Sequence, residues 1–70
     1  MAEVAAQITG TIWRIECEVG QEVEEGDALV IIESMKMELP VEAEGPGVVR
    51  EILCREDQSV GEGDTLVVLE

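Results

Sequence analysis

The 70-residue sequence predicts an all-β fold built from two copies of one small unit. Three observations predict it. Gly10 to Glu33 aligns without gaps on Gly47 to Glu70 at a constant offset of 37 residues, with 11 of the 24 positions identical. Apolar residues either alternate with charged ones or run in short unbroken blocks bounded by glycine, and nothing has helical spacing. Gly-Asp recurs at 26–27 and at 63–64, each time just before an apolar block.

Taken in order, the repeat already shows upstream, where Val4 matches Val41 and Ala6 matches Ala43. Thr9-Gly10 punctuates the start of a strand. Trp13 to Val19 alternates apolar with charged residues, a pattern that on a strand sends Trp13, Ile15, Cys17 and Val19 to one face. Val23-Glu24-Glu25-Gly26-Asp27 then reads as a turn with Gly26 at a positive backbone angle. Ala28-Leu29-Val30-Ile31-Ile32 is unbroken and apolar, as expected of a strand that crosses the core. After the central segment, Glu44-Gly45-Pro46-Gly47 marks the next turn, and the order strand, turn, strand, turn, strand repeats through Thr65-Leu66-Val67-Val68-Leu69. Asp57 stands where the first unit has Gly20, and aspartate tolerates left-handed geometry better than most residues. Two such units bury their apolar faces against each other about a pseudo-two-fold axis, which neither could do alone.

Length fits one domain over residues 1–70, with repeat one at about 3–33, a hairpin tip at 34–39 and repeat two at about 40–70. It leaves no room for a deep catalytic cleft. The net charge of −13, with Arg14, Lys36, Arg50 and Arg55 as the only cations, argues against nucleic acid and against anionic membranes as partners. No stretch approaches the roughly 20 apolar residues of a membrane span, and the start lacks the features of a signal peptide. The expected location is cytoplasmic, and the expected state a monomer. Cys17 and Cys54, without any histidine, form neither a Cys-x-x-Cys pair nor a zinc site. Both are expected to be reduced, half-buried strand residues.

The segment Glu33-Ser34-Met35-Lys36-Met37-Glu38 lies between the two repeats and holds the only lysine in a chain with seventeen acidic residues. If Ile31-Ile32-Glu33 pairs with Glu38-Leu39, the residues between form a tight hairpin with Lys36 at or beside its tip. Tight hairpins favour Asn-Gly or Asp-Gly, so Met-Lys breaks a local rule that the other turns keep. Such breaks mark functional positions. The competing readings are a surface lysine left by chance and a methionine pair that fills core gaps, but a hairpin tip has little core to fill. A Schiff-base lysine would need a desolvating pocket, which an acidic tip does not offer. An unmodified interaction module with a methionine-rich tip is the remaining alternative.

Glu33-Ser34-Met35-Lys36-Met37-Glu38 resembles the biotin attachment motif of biotin carboxyl carrier domains, in which two methionines flank the lysine; Ser34 stands where the commonest motif has alanine. The two-fold repeat, the Gly-Asp turns and the central lysine together resemble the biotinyl/lipoyl domain family over nearly the whole chain. That resemblance implies a flattened eight-stranded antiparallel barrel with the attachment lysine on a tight hairpin. It also implies covalent biotin on Lys36, ligase recognition through Met35 and Met37, and Ser34, Glu33 and Glu38 flanking them. Lipoyl domains share the fold but carry Asp-Lys-Ala or a similar triplet, so Met-Lys-Met points to biotin rather than to a lipoyl carrier. The implied partners are a biotin ligase, a biotin carboxylase and a carboxyltransferase of an acyl-CoA-type carboxylase. The chain itself is then a carrier and not an enzyme. It lacks a thumb-like insertion and resembles the compact biotin/lipoyl attachment proteins.

Overall fold

The computed structural model describes residues 2–70. Eight strands follow one another: β1 (Ala2–Ala5), β2 (Gly10–Ile15), β3 (Glu22–Val23), β4 (Ala28–Ser34), β5 (Met37–Glu42), β6 (Gly47–Ile52), β7 (Ser59–Val60) and β8 (Thr65–Leu69). The 37-residue shift carries β2 onto β6 and β3 onto β7 residue for residue. The strands sort into two antiparallel four-stranded sheets, β1-β8-β6-β3 and β5-β4-β2-β7, and the same shift converts one order into the other. Each repeat therefore supplies two strands to each sheet. The flattened eight-stranded barrel expected from the sequence takes the form of these two sheets. No helix occurs among the described residues, so none there is long and apolar enough to cross a membrane.

The core follows the repeat. Ile12, Leu29, Val30 and Ile32 are buried from the first unit, and their equivalents Val49, Leu66, Val67 and Leu69 from the second. Ala6 with Ala43 and Val23 with Val60 extend it. Among the described residues only aliphatic side chains and the two cysteines fill it, which suits a narrow space between short strands.

The repeated turns owe their sequence to two requirements. Gly26 and Gly63 sit at φ 92° and 94°, where a side chain is strained, and their amides donate to the carbonyls of Ala43 and Ala6. The following aspartates accept from the backbone three residues earlier, Asp27 from the Glu24 amide at 2.9 Å and Asp64 from the Gly61 amide at 2.8 Å. The other turn pair is built likewise: Gln21 accepts from the Glu18 amide and Gln58 from the Arg55 amide, each at 3.0 Å. Gly20 at φ 92° and Asp57 at φ 69° share the left-handed position, as the substitution between repeats implied.

The alternating reading of Trp13 to Val19 needs correction. In β2, Ile12 pairs with Ile32 and Arg14 with Ile31, so Trp13 is the extra residue of a β-bulge. That insertion reverses the phase. Ile12 faces the core, Trp13 and Arg14 both face solvent, and Ile15 and Cys17 turn back inward. Val19 sits in the turn from Glu18 to Gln21 and is 65% exposed. The second repeat carries the same bulge at Arg50. The cysteines lie just past the ends of β2 and β6 and are buried rather than half-buried strand residues; both are free thiols. Ile31, inside an apolar block, is only half-buried because it faces outward between Val30 and Ile32.

Beyond the far end of β5, Gly45 and Pro46 lie beside Ala2, Leu69 and Glu70 around one shallow recess. Both ends of the described chain are thus remote from the β4–β5 turn.

Candidate functional site

β4 and β5 pair from Ala28 opposite Glu42 to Ser34 opposite Met37, leaving Met35 and Lys36 as a two-residue connection. Their φ angles are 53° and 66°. Positive angles at both central positions let a two-residue turn match the right-handed twist of its strands. For residues with a Cβ that geometry costs about 1–2 kcal/mol each. The backbone thus keeps the hairpin geometry that the residue types would disfavour, and Met35 and Lys36 carry the resulting strain.

Lys36 is exposed at the turn, Met35 is 90% exposed beside it and Met37 60%. An unbranched thioether chain held in water contributes little to folding, so neither methionine is a core residue. Below them, Glu33 and Glu38 stand directly opposite each other, both exposed. Like charges facing across a strand pair repel, so the lysine stands above a local concentration of negative charge. The base of the hairpin is held from one side. The Ser34 hydroxyl donates to the Thr9 carbonyl at 2.9 Å. Gly10 runs so close beneath that an added Cβ would lie 2.5 Å from the Glu33 carbonyl oxygen and 2.7 Å from Ile32 Cγ2.

The structure thus brings together all six residues singled out in the sequence: Glu33, Ser34, Met35, Lys36, Met37 and Glu38. Thr9 and Gly10 join them, although the sequence showed them only as the start of a strand. The identity of Gly10 with Gly47 was the available signal, since Gly47 makes the equivalent close approach to Glu70. Chemically, the site presents one primary amine. Among the described residues no cluster of His, Cys, Asp or Glu could hold a metal. Burial pushes both thiols up, Cys17 on that account alone and Cys54 further through its proximity to Cys17, so neither is a ready nucleophile. An exposed amine on a rigid turn fits a group joined by an amide, since an incoming enzyme can approach it from above.

Several known proteins are similar to this chain. A biotin/lipoyl attachment protein of Bacillus subtilis (strain 168) is 39% identical over 41 residues, covering 59% of this chain and 56% of that protein. A biotinylated protein, the TB7.3 homolog of Mycolicibacterium smegmatis, is 48% identical over 42 residues, 59% of each chain. The matched stretches thus span under two thirds of these relatives' length. Among solved structures, the urea carboxylase of Kluyveromyces lactis contains a region that superposes with a TM-score of 0.94 at 36% identity, covering 99% of this chain and 6% of that one. The expected cofactor, biotin, agrees with the family whose description, biotin-requiring enzyme, matches residues 1–69. On a match of that extent, the chain belongs to the biotin/lipoyl attachment family.

Proposed function

We propose that the protein is a biotin carboxyl carrier, in which a biotin ligase joins the carboxyl group of biotin to Nζ of Lys36. The observation that carries this reading is the placement of the only lysine in a two-residue left-handed turn between two exposed methionines. When attached, biotin supplies a ureido ring that takes up and releases a carboxyl group. The residues of the chain do the presenting. Lys36 provides the amine and then the tether; Met35 and Met37 are the side chains a ligase meets first; Ser34, Glu33 and Glu38 hold and flank the turn. Tethering raises the effective concentration of the ring at each active site it visits. The partners are a biotin carboxylase and a carboxyltransferase of an acyl-CoA-type carboxylase, the chain serving as a non-catalytic, cytoplasmic, monomeric carrier. The urea carboxylase likeness supports a carboxylase setting. The paired methionines favour biotin over lipoate, and an exposed lysine between them favours modification over an unmodified docking tip.

The test is intact mass after incubation with a biotin ligase, ATP and biotin. One biotin per chain is expected for the wild type and none for Lys36→Arg. The loaded protein, given a biotin carboxylase, ATP and labelled bicarbonate, should then acquire label that the variant does not. Modification persisting in Lys36→Arg would end the proposal.

A further inference from the structure

The pseudo-two-fold makes the outer faces of the two sheets directly comparable, and one row across their strands differs in its chemistry. On the sheet that carries the hairpin, Pro40, Ile31 and Arg14 lie side by side in register across β5, β4 and β2. The bulge residue Trp13 stands next to them, 40% exposed, with the Arg14 guanidinium 4.8 Å from the centre of its ring. The equivalent row on the other sheet is Glu3, Val68 and Glu51, with Arg50 as the bulge residue. The backbone is the same, bulge included, yet one face presents an aromatic ring under a guanidinium and the other two carboxylates. The only aromatic residue of the chain is spent on this exposed position. Packing gives no reason for it, because Ile12 and not Trp13 fills the core at this point.

From this asymmetry we propose that Trp13 and Arg14, with Ile31 and Pro40, form a docking surface for the biotin ligase, one that sets affinity while the tip supplies the reacting amine. The inference rests on the carrier reading above and names a partner surface within it. Arg14 pairs with Ile31, three residues before β4 ends at Ser34, which places the patch roughly 10 Å down the sheet from the turn. Which partner covers it follows from where each one works. A ligase must bring activated biotin to Nζ itself, so its body has to close around the flanks of the hairpin. A carboxylase meets the ring at the end of the lysine and valeryl chains, and can act without approaching β2. Trp and Arg are also the residue types on which interface affinity tends to concentrate. Stacking beforehand lowers the ordering cost of both side chains on binding. The complementary ligase surface is an apolar recess for the indole with a carboxylate beside it for Arg14, next to a basic region facing Glu33 and Glu38.

The test compares the double variant Trp13→Thr/Arg14→Thr with the symmetry-matched control Arg50→Thr/Glu51→Thr, measuring ligase-catalysed transfer of biotin against carrier concentration. Expected is a KM raised on the order of 10- to 30-fold for the first pair with kcat within two-fold of wild type, and a KM within two-fold for the control. Arg14→Glu alone should raise KM in the same direction. Melting temperatures of all variants separate docking from loss of fold. A KM unchanged in Trp13→Thr/Arg14→Thr, or raised equally in the control, overturns the proposal. So does unchanged ligation accompanied by slower carboxylation of the loaded variant, since the patch would then belong to the carboxylase. Wild-type protein that takes no biotin would overturn the carrier reading, and this inference with it.

Discussion

The Ser34 hydroxyl donates a hydrogen bond to the carbonyl oxygen of Thr9, 25 residues away, and so ties the last residue of β4 to the loop before β2. An exposed hydrogen bond contributes at the lower end of the usual range. Ser34→Ala should therefore lower stability by about 0.5–1 kcal/mol, or on the order of 2–8 °C in Tm for a chain of this size. Biotin uptake should persist, because the amine is still presented. Thermal unfolding and intact mass read the two outcomes separately; a variant as stable as wild type would show that the bond contributes nothing.

Met35 should be a site where stability and attachment oppose each other. Asparagine adopts the left-handed region more readily than methionine, so Met35→Asn should stabilise the domain by roughly 0.5–1 kcal/mol while slowing transfer by the ligase. Denaturant midpoints against initial rates of biotinylation check both signs. Faster transfer in the stabilised variant would remove methionine from the recognition role.

Gly10 and Gly47 occupy equivalent positions with unequal clearance. An alanine Cβ at Gly10 would meet the Glu33 carbonyl oxygen at 2.5 Å, against 3.0 Å to that of Glu70 from Gly47. Gly10→Ala should cost about 2–3 kcal/mol, and Gly47→Ala distinctly less. Equal losses in chemical denaturation would mean that the hairpin base yields as easily as the chain terminus.

The first repeat alone should not fold. In the fragment 1–36, β1 and β3 would lose β8 and β6, with which they pair, and Leu29, Val30 and Ile32 would lose the opposing sheet. A monomeric fragment with a dispersed amide spectrum would refute this; a fragment that pairs with itself would not.

Stability should fall at alkaline pH through the thiols. Burial raises both above the ordinary value of 9.0, so the folded state holds its protons while the unfolded chain ionises. The folded state then binds more protons, and stability, fully present below the unfolded thiol range, declines as pH rises through it and on towards the raised values. The variant Cys17→Ala/Cys54→Ala, less stable overall, should show a flatter profile between about pH 8 and pH 10. An unchanged slope would assign the alkaline loss to other groups.

Much of this molecule was legible in its sequence because the repeat shows each element twice. Gly26-Asp27 and Gly63-Asp64 announce a turn whose glycine angle and aspartate acceptor both follow from local chemistry, and the structure keeps both. Met35-Lys36 was legible as a broken rule. What failed to show was the bulge at Trp13, because an inserted residue changes the phase of a strand without changing its composition, and alternation from Trp13 to Val19 looks the same whichever residue begins it. Ser34 with Thr9 was hidden for another reason: a single hydroxyl meeting a carbonyl across the fold leaves no periodic trace.

Ala2 and Glu70, the ends of the described chain, lie beside Gly45 and Pro46, at the end of the molecule away from Lys36. A domain wired in this way can be inserted in line within a longer polypeptide, with its neighbours attached at the back and the front left clear. Nothing in the turn would need to change between a free-standing domain and one set within a longer chain. Differences in working radius would come from the leash behind the domain, whose length and stiffness are set outside the fold.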